Sequence, residues 1–375
     1  MNRQNLVTTP DMHLQKPSFS GEEIPVTQVD KPQLGLIIGT GQHQNQANGT
    51  RRFDLCSIDL DNPSFPLTLI SMHFFGHGIT PDPTNPALVS VFEKRGRGAC
   101  EIDLKQGAVT RTFEPATNRK FYGHGAYSPN GKLLFCTETI VEDDYEGLIA
   151  VRDAKTHEYL GEFPSYGSSP HDCHLIDSGA TMVITNGGGP MKGILPSVTF
   201  VDVNTEKLLE KLEFDTPNIN AGHLGISKQG HLAVVSAQRE GLPDQKPGGI
   251  TLRLAGGEFH TLKKPADLVE RLLGETLSVC IHEATGVVGA TTPAGNLLTF
   301  WDLKNGNLLR HYELQNPRGI ELSQDDENFV VSFGAGNPPE ALCIFDAETL
   351  EKRAGYDLAP TGITGSHLFS YSYFS

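Results

Sequence analysis

Five histidines recur at one kind of place in this chain. His77, His124, His171 and His223 each stand at the start of a short, β-branched segment, and His367 starts the last such segment. His77 and His124 share the tripeptide GHG, and His223 and His367 sit in the similar contexts AGHLGIS and GSHLFS. His77, His124 and His171 follow one another at a constant spacing of 47 residues. Imidazole nitrogen ligates iron, copper or zinc. Protonated imidazoles instead attract an anion, and either site would respond to pH. Direct catalysis by the rings is a third use. The plain alternative is that each ring hydrogen-bonds the backbone of the next repeat and recurs because the repeats do. The two remaining equivalent places hold Ser278 and Arg318.

Other residues near these stations could extend a site. His73 lies in HFFGHG, and PHDCH places Asp172, Cys173 and His174 after His171. Strand alternation puts His171 and Cys173 on one face and Asp172 and His174 on the other, so His171 and His174 are not expected to chelate one ion. The run TETIVEDDYEGL carries Glu138, Glu142, Asp143, Asp144 and Glu146. It reads as a solvated loop between two strands, or as a cation-binding or gating loop, and Glu240 occupies a comparable place.

The elements that must position these residues are repeats. One unit is a strand ending in aspartate, a turn and a second strand, with Asp59, Asp103, Asp153, Asp202, Asp302 and Asp346 at the strand ends. Aspartate there accepts hydrogen bonds from the backbone two residues on and begins the turn. A missing copy falls at GGITLRLAGGEFHTL, which makes seven hairpins. A second unit, a strand, a turn rich in Pro, Asn, Asp or Gly, and a β-branched strand, precedes each hairpin. Four strands per repeat is a propeller blade. The fold class expected is therefore all-β, a seven-bladed β-propeller over residues 33–375. The first repeat lacks an inner strand and the segment GSHLFSYSYFS has no blade after it, so the C-terminal strand is expected to complete the first blade. Residues 1–32 are expected to form a tail or strap outside the ring. The segment KKPADLVERLLGE (263–275) has helical spacing and reads as a short inserted helix.

Composition narrows the partners. A net charge of −15 repels nucleic acid and anionic membrane surfaces. No apolar run is long enough for a membrane-spanning helix, so no membrane insertion is expected. Five of the six cysteines (Cys56, Cys100, Cys136, Cys173, Cys280 and Cys343) sit in apolar, strand-like runs. They read as reduced, buried thiols and lean towards a reducing compartment. The N-terminus shows no apolar export region. No nucleophile elbow, phosphate loop or CxxC pattern appears.

The run FYGHGAYSPNGKLLFCTE, followed by DYEG, GLIAVRDAKT, EFPSYGSSPHDCHL and NGG, resembles the bacterial family labelled domain of unknown function 1513. The likeness covers most of residues 33–370. It implies a seven-bladed propeller of the WD40/YVTN type, a periplasmic setting and a link to iron uptake or handling. His77, His124, His171 and His223 fall on positions of the family's motifs. The absence of an export signal argues instead for the cytoplasm. The function expected is a non-enzymatic propeller binding a metal ion or small ligand at a histidine-lined channel mouth. Two alternatives stay open. One is an interaction scaffold holding a protein partner on a propeller face; the other is a metal-dependent hydrolase of the lactonase type, which would want carboxylate ligands.

Overall fold

The computed structural model describes residues 34–44, 49–62, 67–140, 146–191, 193–243, 246–334 and 339–371. The described chain is almost entirely antiparallel β-structure. The first sheet is assembled from both ends of the sequence. Its order is Leu368–Tyr371, Leu36–Gln44, Arg51–Asp59, Leu67–Met72. Ile38 lies opposite Phe369 and Gly39 opposite Leu368, so the C-terminal strand covers what would be an open edge.

The other sheets follow one another along the chain. Gly76–Pro81 begins the set that ends with Ala108–Phe113, and Arg119–Tyr127 begins the set that ends with Tyr159–Ser168. These two sets join into one eight-stranded sheet where Lys94 pairs with Tyr122. Four-stranded sheets then start at Pro170–Ile176, Leu224–Ile226 and Ser278–His282. A three-stranded sheet starts at Ile320–Leu322, and an isolated bridge from Leu342 to Leu358 flanks it.

Alternation explains the packing. Strand residues one apart point to opposite faces, and in the second strand of a sheet both faces are apolar because both are covered. Val183 packs with Leu224 and Val234 of the next sheet, while its neighbours Met182 and Ile184 pack back on Phe135 and Ile149. The same arrangement continues to the last sheet, where Val330, Leu342 and Ile344 pack on Ile37, Cys56 and Leu368 of the first sheet. All six cysteines are free and buried in these layers.

The turn aspartates act as their position in the repeat predicts. Each of Asp59, Asp103, Asp153, Asp202, Asp302 and Asp346 accepts the backbone N–H of the residue two places on. The copy lacking this aspartate is formed by Gly249–Arg253 and His260–Thr261.

Two expectations need correction. The segment 263–275 makes one helical turn, Ala266–Val269, and no more. Its remainder is drawn into isolated bridges, Leu273 with Pro247 and Glu275 with Ala237, while Leu268 and Leu272 fill the apolar layer beneath. Glu138 is not in a loop: it lies inside the strand Leu133–Ile140, fully buried, 3.0 Å from Arg152. That pairing makes it structural. Glu146 is exposed at the start of Glu146–Asp153. Glu142, Asp143 and Asp144 lie outside the described residues, as does the segment 1–32.

Candidate metal centre

His77 and His171 are the second residues of Gly76–Pro81 and Pro170–Ile176, and His124 lies within Arg119–Tyr127. In three of these strands the pairing register breaks at the histidine: between Gly76 and Gly78, between Phe121 and Gly125, and between Pro170 and Cys173. A bulge gives the strand an extra residue and re-aims a side chain, here the imidazole. His223 and His367 immediately precede Leu224–Ile226 and Leu368–Tyr371, and His223 O accepts the Val235 N–H at 3.0 Å.

Threonines on the second strands pin this irregular backbone. Thr137 Oγ1 donates to His124 O at 3.0 Å and lies 3.2 Å from the His124 N–H. Thr185 Oγ1 accepts the Asp172 N–H and donates to Gly222 O, and Thr40 Oγ1 donates to Gly76 O. Glycine makes room for the rings. Gly123 has φ +119°, and a Cβ there would lie 2.5 Å from the His77 ring. A Cβ on Gly78 would lie 2.9 Å from His124 Nδ1.

The rings converge. His77 Nε2 is 3.1 Å from both His171 Nε2 and His223 Nε2, and His367 Nε2 is 2.8 Å from His223 Nε2. One nitrogen each from His77, His124, His223 and His367 lies within 4.8 Å of the others. His77, His124, His171 and His223 are buried and His367 is half-buried. The bulges and the missing Cβ atoms let the rings come this close.

The outer nitrogens are held. His223 Nδ1 donates to the carbonyl of Leu277. That fixes the tautomer and leaves the Nε2 lone pair facing His77 and His367. His124 Nδ1 is 3.3 Å from Asp172 Oδ1, and its Nε2 is buried with no hydrogen-bond partner. Asp172 is oriented in turn: Oδ1 accepts the Cys173 N–H and Oδ2 accepts the Leu224 N–H. Burial pushes the Asp172 pKa up, but His124 and His174 prevail and hold it well below the carboxylate range. A metal-binding histidine typically gives its second nitrogen to a carboxylate or a carbonyl, and His124 and His223 do so.

Burial also sets the protonation of the cluster. It lowers the pKa of all five rings, with Lys94 and the neighbouring histidines adding to the effect at His77 and His171. His124 falls to about 4, Asp172 partly opposing, and His223 to about 3. The rings are therefore neutral at physiological pH, the form that ligates a metal and not the form that attracts an anion.

The other sequence candidates separate from the cluster. His174 lies 3.4 Å from Asp172 and does not join the converging nitrogens, as alternation predicts. His73 is exposed and lines a different cavity, beside Phe53 and Phe74. Ser278 Oγ accepts the Ile320 N–H, and Arg318 Nε donates to Gly365 O. Sequence reasoning missed the Asp172 bridge, the threonine pins and Lys94. The threonines had a visible signal, recurring in the second strands as GTG, CTE and ITN. Lys94 had none.

His171 forms part of the wall of a cavity of about 720 Å³, together with Lys94 and Tyr122. The profile of a family described as "Protein of unknown function (DUF1513)" matches residues 71–358. No curated protein matches the chain. Among solved structures, hydrazine synthase of Kuenenia stuttgartiensis is similar with a TM-score of 0.63 at 13% identity. The likeness covers 88% of this chain and 99% of that one, and it is a likeness of fold.

Proposed function

The chain belongs to the DUF1513 family, and we propose that it is a seven-bladed β-propeller that binds one transition-metal ion through histidines at the mouth of its channel. Two facts support the architecture. With the halves of the eight-stranded sheet taken separately, the sheets number seven. The last of them also packs back on the first. The C-terminal strand then completes the first blade.

One observation carries the metal reading. His77 Nε2 faces two imidazole nitrogens at once, and so does His223 Nε2. An imidazole nitrogen offers one hydrogen or one lone pair, so hydrogen bonding satisfies only one neighbour of each well. A central cation accepts all the lone pairs together. The closest contacts suit it: nitrogens about 2.0–2.1 Å from one ion stand about 2.9 Å apart at right angles and about 3.3 Å at tetrahedral angles, near the 2.8 and 3.1 Å contacts among His77, His223 and His367, and the wider spacings within 4.8 Å must close on binding. Neutral imidazoles without thiolate suit copper, zinc or iron. His77, His124, His223 and His367 form the ligand set, with His171 adjoining through His77. Asp172 positions His124. The lactonase-type reading asks for carboxylate ligands, and the carboxylate at this cluster, Asp172, is engaged by backbone N–H groups and histidines. The link to iron uptake and the periplasm is carried by the family resemblance.

The test is elemental analysis of protein purified without a histidine tag, as isolated and after incubation with copper, zinc or ferrous iron. About one equivalent of one metal is expected. His77→Ala and His223→Ala should each lower its affinity at least tenfold while circular dichroism stays unchanged. A folded protein that takes up none of the three metals ends the proposal.

A further inference from the structure

The cavity that reaches the histidine cluster at His171 has the wrong sign for an acidic protein. Among the described residues it is lined by four cations, Lys94, Arg95, Lys120 and Arg239, against two carboxylates, Glu240 and Glu275. The whole chain carries −15. Arg239 is occupied by the carbonyls of Gly189, Pro190 and Pro217. The Lys94 ammonium is not so occupied: among the described residues it makes no side-chain hydrogen bond or close ion pair, and Glu275 on the same wall acts on it only at longer range. It is half-buried in the strand Leu88–Gly96, where it pairs with Tyr122. A Cβ on Gly123 would lie 2.5 Å from the His77 ring and 3.4 Å from Lys94 Cβ, so the lysine stem runs beside that ring.

An ammonium next to a cation-binding cluster is a physical conflict. Two like charges repel, more strongly where water is excluded, and a buried charge ordinarily has a partner. An anion between the two removes the conflict. We infer that the cavity binds a small organic carboxylate, one end held by Lys94 and the other beside His171, the cluster histidine that lines the cavity. This rests on the metal reading above. The size favours an organic molecule over a bare inorganic ion, since cavities of about 300–1,000 Å³ hold small-molecule ligands. Gln238 and Tyr122 line the same space and supply an amide N–H donor and an aromatic contact.

The test uses the full chain, metal-free and loaded with cobalt(II), titrated with acetate, succinate and benzoate by calorimetry and by the visible absorption of the cobalt. Succinamide and inorganic phosphate serve as the neutral and inorganic comparisons. At least one carboxylate should bind saturably to the cobalt protein, with phosphate weaker and succinamide inert. Lys94→Gln should weaken that binding at least tenfold at unchanged cobalt content, and Lys94→Arg should restore most of it. Cobalt bound in full with no carboxylate binding, or equal binding by Lys94→Gln, overturns the inference and leaves the metal reading standing. Tighter binding of phosphate than of any carboxylate also overturns it. Failure of cobalt, copper, zinc and ferrous iron all to bind, with carboxylate binding that still depends on Lys94, ends the metal reading and keeps the carboxylate site.

Discussion

A buried imidazole prefers to be neutral, and five buried together prefer it more strongly because each proton repels the next. The consequence is a stability that depends on pH. In the unfolded chain these rings take up protons near pH 6.5. In the folded chain His124 does so at about 4 and His223 at about 3, with His77, His171 and His367 also lowered. Between those limits the unfolded state binds more protons, so stability falls as the pH falls. Glu321 works in the opposite direction: burial raises its pKa to about 7, and it favours the folded state as the pH drops. Asp172 raises His174 to the same effect. Glu138, raised by burial, opposes as well, while His157, lowered to about 4, adds to the rings; each tenfold change in proton affinity is worth about 1.4 kcal/mol, and the six lowered histidines outweigh the three opposing groups. The melting temperature of the metal-free protein should therefore decline steadily from about pH 7.5 to about pH 5. A flat or rising profile would contradict this account of the cluster. The histidines were legible in the sequence because they repeat. Asp172 was visible only as a strand-face neighbour, since its two oxygens bond to Cys173 and Leu224, and contact between separate sheets has no local signature.

The strands themselves were largely readable, because alternation and turn aspartates are local chemistry. Their irregularities were not. The register breaks at His77, His124 and His171 leave the strand pattern almost unchanged, yet they decide where the rings point. Gly123 is the sharpest case. Its φ of +119° is one that side chains rarely adopt, and the space a Cβ would take is filled by His77. Gly123→Ala is expected to destabilise the protein by about 1–3 kcal/mol and to weaken metal binding by displacing that ring. Gly107→Ala is the contrast: φ is also positive, at +65°, but nothing stands within 4 Å. It should cost about 1–2 kcal/mol and leave metal affinity unchanged. Urea unfolding and metal titration of the two variants separate strain from site geometry. Equal metal affinity in both would show that the GHG glycines serve the backbone alone. The short helix expected in 263–275 is present but confined to Ala266–Val269 for a related reason: helical spacing runs on, but bridges to Pro247 and Ala237 claim the second half of the segment.

For residues 33–375 taken together, the repeat count and the missing first strand pointed to closure by the C-terminal strand, and Leu368–Tyr371 does pair with Leu36–Gln44. Truncation after Gly365 would remove this strand and His367 together. Exposing the layer that Leu368 and Tyr371 bury costs about 3–6 kcal/mol, and the bared edge of Leu36–Gln44 invites association. Lower thermal stability and aggregation are expected of the truncated chain, whereas His367→Ala should keep the fold and lose only metal affinity. Light scattering and thermal melts of the pair distinguish the two roles; equal stability of truncated and intact chains would mean that the strand does not lock the fold. The same pairing sets an order of events during synthesis. His77, His124, His171 and His223 are made early, and His367 follows His223 by 144 residues. A nascent chain therefore carries four of the five rings long before the strand that brings the last one home. The full set of donors exists only once that strand has paired with Leu36–Gln44, so metal occupancy would mark chains that have finished folding.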